Sequence, residues 1–299
     1  MNKVVSIVTS DWHLSDIKPK CRGELNWVEK QIEVISEIVN LCLSYNAELW
    51  IAGDIFDKSD KCSSELYCKL VRVLKKLPNG SVKSIMGNHD MIMHNRLLSE
   101  NSAYMALCYS GAITDYNNEM FVPFNSDNKL DESSSDIKIL HRYTYDTISN
   151  IPDISETNSA EYLCNYYKKT KVIFTGDNHS RFIYNHNNNN QHVYNCGSIM
   201  IRNIKQKNYK PSVFIFKEDY SVSTYYLKSS DNDIIIDRDI KETYFYEKNL
   251  KNDLMNKFIE ILKTENSDFV NFKDNLYKSI SGGISEEYVM NKYKNICGE

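Results

Sequence analysis

The chain of 299 residues is 41% hydrophobic and 25% charged, apolar enough for a sizeable core, which excludes a disordered tail protein. With 36 basic against 40 acidic side chains its net charge is −4, so any nucleic-acid contact must come from a local groove rather than a global field. Its eight cysteines form no Cys-x-x-Cys pair and its first apolar run is only Val4 to Val8, which speaks against a disulfide framework, a zinc ribbon, a membrane span and a signal core, and predicts a cytoplasmic protein.

Residues 3 to 9 are β-branched and read as a buried strand that delivers Asp11 to a sheet edge. From Asn26 to Tyr45, Trp27, Val28, Ile32, Ile35, Ile38, Val39 and Leu43 recur at helical spacing. Leu49 to Ala52 is a short strand broken by Gly53-Asp54, Ser63 to Leu77 is helical, and Val82 to Met86 is a third strand broken by Gly87-Asn88. Strand, helix, strand, helix, strand predicts a parallel β-α-β-α-β unit, whose ligands bind at the carboxyl edge.

After a less regular stretch, Ile137 to Leu140 precedes His141, and a helix over about Ala160 to Lys169 leads into the strand Lys171 to Thr175 before Gly176. From Phe182 to Leu227 short β-rich segments alternate, among them His192 to Asn195, Ser198 to Ile201, Val213 to Lys217 and Val222 to Leu227. They predict a second, mostly antiparallel sheet, with the Asn187 to Asn190 run at a loop tip. Beyond about residue 240, Leu250, Leu254, Phe258 and Leu262 repeat every four residues, as do Phe272, Leu276 and Ile280. The expectation is a domain over 1–235 and a small helical appendage over 236–299.

Polar groups follow five of these strands: Asp11-Trp12-His13, Gly53-Asp54-Ile55-Phe56-Asp57, Gly87-Asn88-His89-Asp90, His141, and Gly176-Asp177-Asn178-His179. At ~5% per residue type, one specified tetrapeptide arises by chance in roughly 0.2% of chains this long, and finding the others in order is far rarer. The set supplies carboxylates, imidazoles and an amide oxygen, donors that suit manganese, iron or zinc. Two divalent ions about 3.5–4 Å apart could share a carboxylate and clamp the attacking and leaving oxygens of a phosphoryl group. His94, His186 and His192 lie outside these motifs and read as ordinary core or surface histidines.

These residues resemble the calcineurin-like metallophosphoesterases over residues 3 to 230. The Asp-Trp-His-Leu, Gly-Asp-Ile-Phe-Asp and Gly-Asn-His-Asp forms resemble the SbcD-type DNA exonuclease subunit, including phage-encoded versions. The resemblance implies an α/β fold, a two-sheet β-sandwich flanked by helices. It implies two divalent metal ions, with Mn2+ favoured and Mg2+, Fe2+ or Zn2+ as alternatives. Asp11, His13, Asp54 and His179 would hold the first metal, with Asp54 bridging, and Asn88, His141 and Asp177 would complete the second. His89 would face the scissile phosphate, and Asp90 would orient His89 by a hydrogen bond. Asn195-Cys196-Gly197-Ser198 resembles the family's Asn-Pro-Gly-Ser turn. Asp177 stands where the family usually has a histidine, which adds a carboxylate and predicts tighter retention of hard ions such as manganese or magnesium. Asp57 stands where some relatives carry a substrate-positioning histidine.

The reading is therefore a metal-dependent phosphodiesterase acting on DNA in repair, recombination or processing. Two other readings stay open: a phosphoesterase of phosphoproteins, cyclic nucleotides or other small esters, and a catalytically altered DNA-end or partner-binding subunit. The implied partners are DNA and an SMC-like ATPase of SbcC type docked on the C-terminal helices, with a homodimer as a further alternative and no membrane. The apolar face of those helices could equally pack on the chain's own sheet. Arg202, Lys205, Lys207 and Lys210 could touch a phosphate backbone or form a solvated loop.

Overall fold

In the computed structural model, residues 2–126, 135–146, 155–186 and 190–230 are described here. The chain divides into two units, Met1–Ile236 and Asp237–Glu299. The helices expected over 236–299 lie outside the described residues.

Strand β1 (Val4–Thr9), helix α1 (Trp27–Tyr45), strand β2 (Glu48–Ile51), helix α2 (Ser64–Leu74) and strand β3 (Val82–Ser84) follow the expected order. β1 pairs in parallel with β2, and β2 with β3. Each helix begins at a side-chain cap, as the sequence invites. Asn26 Oδ1 accepts from the Glu29 N–H at 3.1 Å, and Ser63 Oγ from the Leu66 N–H at 3.1 Å. Ile32, Ile35, Ile38, Val39 and Cys42 line the buried face of α1, while Leu43 turns outward. Asn46, in the left-handed region at φ 48°, ends the helix.

Helix α3 (Ala103–Tyr109) and the two-residue strands β4 (Thr114–Asp115) and β5 (Phe121–Val122) occupy the stretch that looked irregular. Then come β6 (Ile137–His141), α4 (Ala160–Tyr166), β7 (Val172–Gly176), β8 (Phe182–His186), β9 (Gln191–Asn195), β10 (Ser212–Lys217) and β11 (Val222–Tyr226). Two sheets result, with strand orders β11-β10-β1-β2-β3-β4 and β5-β6-β7-β9-β8.

The expected antiparallel sheet over Phe182 to Leu227 does not form as one unit. The second sheet is mostly parallel, and only β8 and β9 pair antiparallel in it. β10 instead returns to the first sheet and pairs antiparallel with β1 and β11. Its Val213-Phe214-Ile215-Phe216 run is buried throughout, which a central strand covered on both faces satisfies and an edge hairpin would not. Ser198 to Ile201 is not a strand: it is a buried irregular segment in which Ser198 Oγ donates to the Met200 carbonyl at 3.0 Å. His186 pairs with Gln191 across β8 and β9, and residues 187–189 of the expected loop tip lie outside the described residues.

Alternating residues of the inner strands serve different cores. Ile7, Leu49 and Ile51 pack on the side of α1 and α2, whereas Val8, Trp50 and Ala52 meet Ile139, Val172, Phe174 and Tyr194 of the other sheet. Leu140, Ile173 and Val193 face α4 residues Leu163 and Cys164. The layers are helix, sheet, sheet, helix, and continuous apolar strands are what both-face burial requires. Among the described residues no helix is long and apolar enough to cross a membrane, and the cysteines are free.

Candidate metal centre

The carboxyl ends of β1, β2, β3, β6 and β7 deliver their polar residues to one edge. Four of these residues leave their strands in the left-handed backbone region: Asp11 (φ 52°), His13 (φ 46°), Asp54 (φ 55°) and Asp177 (φ 76°). Such conformations are costly for residues with side chains and persist where the surroundings enforce them, most often at functional sites. Here the enforcement is visible. The Asp11 N–H donates to the Gly53 carbonyl at 3.1 Å, the His13 N–H to the Asp54 carbonyl at 3.0 Å, and the Asp177 N–H to both Asp11 carboxylate oxygens at 3.0 and 3.1 Å.

Asp11, His13, Asp54 and His141 are buried. His13 Nε2 lies 2.9 Å from His179 Nε2, 3.5 Å from Asp54 Oδ2 and 3.8 Å from Asp11 Oδ1. On the other side of Asp54, His141 Nε2 lies 3.5 Å from Asp54 Oδ1 and 2.8 Å from Asn88 Oδ1. Asp11, His13 and His179 form one triplet whose ligating atoms lie within 4.8 Å of one another, and Asp11, Asp54 and His141 form another. His141 Nδ1 donates to the Ala52 carbonyl at 2.7 Å, which fixes the ring and leaves Nε2 directed into the cluster. Gly53, in the left-handed region at φ 89°, makes room for that ring: a β-carbon there would stand 2.7 Å from His141 Cγ.

The residues fit divalent cations. Among the described residues, the buried Asp54 Oδ2 has no hydrogen-bond partner, a costly state that a cation would relieve. His13 Nε2 and His179 Nε2 converge at 2.9 Å with Asp11 Oδ1 3.8 and 4.0 Å from them, and the donors mix carboxylate, imidazole and amide, as borderline ions prefer. Asp54 stands between the two groups of donors.

A sequence profile of the calcineurin-like phosphoesterases matches residues 6–236. The chain belongs to this family. It is accordingly a phosphoesterase of a family that uses divalent metals, with candidate ligands in place. Among solved structures, an archaeal phosphodiesterase is similar at a TM-score of 0.38 and 11% identity, over 74% of this chain and 99% of that one. A metallophosphoesterase from Sphaerobacter thermophilus is similar at a TM-score of 0.38 and 14% identity, over 75% of this chain and 88% of that one. No curated protein matches the sequence.

Two expectations for this phosphoesterase need correction. Asp90 does not orient His89: it is fully buried, and its carboxylate accepts from the main-chain N–H groups of Phe56 (3.0 Å), Gly87 (3.0 Å) and Ile55 (3.3 Å). It ties the β2 and β3 loops together, and His89 Nδ1 donates instead to the Asp57 carbonyl at 2.8 Å. Arg202 is not a solvated cation, because its guanidinium turns inward to Asp57 Oδ1 at 3.0 Å and to the His13 carbonyl. Asp177 borders the cluster through its N–H, but among the described residues its carboxylate joins none of the cation-compatible triplets.

Sequence reasoning passed over Asn195 as a brace for His179. Its buried amide donates to the Asn178 and Ser180 carbonyls at 2.6 and 2.8 Å and accepts from Thr175 Oγ1 at 2.9 Å. The Asn-Cys-Gly-Ser turn held that signal.

The electrostatics assign protons. Burial, opposed by His141 and reinforced by the Asp54 charge, pushes the Asp11 carboxyl up to about 7. Burial works to lower His141, but the Asp54 carboxylate overrides it and raises the imidazole to about 10. Burial keeps His13 and His179 neutral by lowering both. Burial alone would raise Asp54; His141 and His13 beside it lower it instead. In the metal-free protein a proton on His141 Nε2 therefore bridges to Asn88 Oδ1 and sits where a cation would bind. Cation binding must displace it, together with the Asp11 proton below about pH 7.

The expected result is release of about two protons on manganese binding near pH 6 and about one near pH 8, with affinity rising across that range. Calorimetric titration in buffers of different ionisation enthalpy measures this, and a heat independent of buffer would refute the assignment.

Proposed function

We propose that this phosphoesterase hydrolyses phosphodiester bonds in DNA, in the manner of the SbcD-type subunit that its motif forms resemble. The observation that carries the reading is the position of His89. Its main-chain N–H donates to Asp54 Oδ1 at 2.9 Å, fastening it to the buried cluster, while its ring is exposed at the rim. Because Nδ1 is engaged by the Asp57 carbonyl, Nε2 is the atom available to a substrate.

Two divalent cations, when bound, supply positive charge to the phosphoryl oxygens and lower the pKa of water. Asp11, His13, Asp54 and His179 would hold one, and Asn88, His141 and Asp54 the other, with Asp177 at its border. His89 acts beside them in its imidazolium form, keeping Nδ1–H on the Asp57 carbonyl and giving the Nε2 proton to the sugar oxygen as it departs, which leaves the neutral imidazole. His89 itself is exposed, so a diester can reach its ring from solvent.

The test is manganese-dependent cleavage of end-labelled linear double- and single-stranded DNA, with bis-p-nitrophenyl phosphate alongside. DNA cleavage is expected, and His89→Ala should lower it by roughly 10²- to 10⁴-fold while leaving manganese binding intact. Ester hydrolysis without any DNA cleavage, with or without an SMC-like ATPase added, would move the function to a small phosphate ester. The ATPase is part of the same proposal, assigned to residues 236–299, and its failure to co-purify with the full chain while binding no shorter form would remove it.

A further inference from the structure

Asp57 is held by two different parts of itself. Its main-chain carbonyl accepts from His89 Nδ1 at 2.8 Å, while its carboxylate accepts from Arg202 Nη2 at 3.0 Å. The other arm of the guanidinium donates to the His13 carbonyl, so one side chain reaches from the loop before β10 to the loops after β1 and β2. Arg202 is itself anchored, since its N–H donates to Gln206 Oε1 at 2.9 Å and Gln206 Nε2 donates to Ser198 Oγ at 3.1 Å. The cluster has a latent alternative. The ligating atoms of His13, Asp57 and His89 all lie within 4.8 Å of one another, and Asp57 Oδ1 is 3.8 Å from His13 Nδ1. A carboxylate is a stronger acceptor for an imidazole N–H than a neutral carbonyl is.

We propose that Arg202 is a positioning residue for His89: by occupying the Asp57 carboxylate it leaves the Asp57 carbonyl as the partner of Nδ1 and so fixes where Nε2 faces. The inference rests on the reading above, in which His89 assists the leaving oxygen. Without Arg202 the carboxylate competes for the imidazole N–H, and the ring turns to follow it. A misplacement of about 1 Å is enough to weaken a proton donor severely. The loss then falls on substrates that need the proton. A p-nitrophenolate leaves without help, whereas a phenolate or an alkoxide does not.

The experiment compares the full-length wild type with R202Q, R202K, R202Q/D57N and H89A on aryl phosphodiesters graded from p-nitrophenyl to phenyl, with manganese. R202Q should lose roughly tenfold on the phenyl ester and less than about twofold on the p-nitrophenyl ester, a smaller copy of the H89A pattern. R202K, whose single ammonium can still hold the carboxylate, should stay within about threefold of wild type. R202Q/D57N should recover most of the R202Q loss, because the amide is a poorer rival for the N–H. A second readout needs no metal: the long-range 1H–15N spectrum of the His89 imidazole should shift in R202Q and return in R202Q/D57N. Equal losses across the ester series, or a double variant no better than R202Q, would overturn the proposal. If H89A itself shows no dependence on the leaving group, the catalytic reading of His89 fails, and the spectrum still decides whether Arg202 sets the ring.

Discussion

Asp54→Asn is expected to abolish the manganese-induced rise in Tm and to lower phosphodiester hydrolysis more than about 100-fold, since losing a ligand's charge costs more than the roughly 10- to 100-fold lost with a residue that only supports a ligand. Asp54 faces both donor groups, with Oδ2 toward His13 at 3.5 Å and Oδ1 toward His141 at 3.5 Å. An asparagine fills the same volume and keeps one oxygen, so the His89 N–H can retain its acceptor. What disappears is the charge, and with it the attraction for a cation on each side. Wild-type protein at about 100-fold the dissociation constant of manganese gains roughly 2.7 kcal/mol from binding, which thermal unfolding with and without chelator resolves easily. A variant that kept this gain would show that the cations are held without Asp54, contrary to the geometry.

The legible and illegible parts of this protein differ in physical kind. Asp11, Asp54, Asn88, His141 and His179 could be picked out because each follows a short apolar run that reads as a strand, and a parallel unit gathers strand ends at one edge. Local sequence contains both facts. The pairing of β10 with β1 was hidden, because a buried apolar strand of six residues fits either sheet and long-range packing makes the choice. Helix α3 was missed for its length: seven residues with one side-chain cap at Ser102 give too few turns for a periodic pattern.

Within the site, chemistry was legible and direction was not. Asp90 follows His89 in the chain, yet the turn points its carboxylate away, toward three main-chain donors. Arg202 sits in a run rich in lysine, yet a capping box at Asn203 and Gln206 turns the chain so that the guanidinium enters the protein. Side-chain direction depends on the φ and ψ of loops, and four of the site residues adopt left-handed conformations that residue type alone does not favour.

Gly87→Ala tests the same centre from the backbone side. A β-carbon at position 87 would lie 2.5 Å from the Asp54 nitrogen, 2.7 Å from Asp54 Cγ and closer still to Oδ1. Neither partner can yield cheaply. The Asp54 carbonyl is bound by the His13 N–H at 3.0 Å, and the Gly87 N–H is bound to Asp90, which also holds Phe56. The strain must therefore enter either the fold, at about 1–3 kcal/mol for overpacking, or the carboxylate, by swinging it out of line with His13 and His141. Both outcomes are measurable together. The expectation is a lower Tm in the metal-free protein, a smaller rise in Tm on adding manganese, and hydrolysis reduced by more than about tenfold, since small displacements of reacting groups are costly. Activity within twofold of wild type and an undiminished manganese response would mean that the β3 loop moves independently of Asp54, and the shared Asp90 bracket would then carry none of the site's precision.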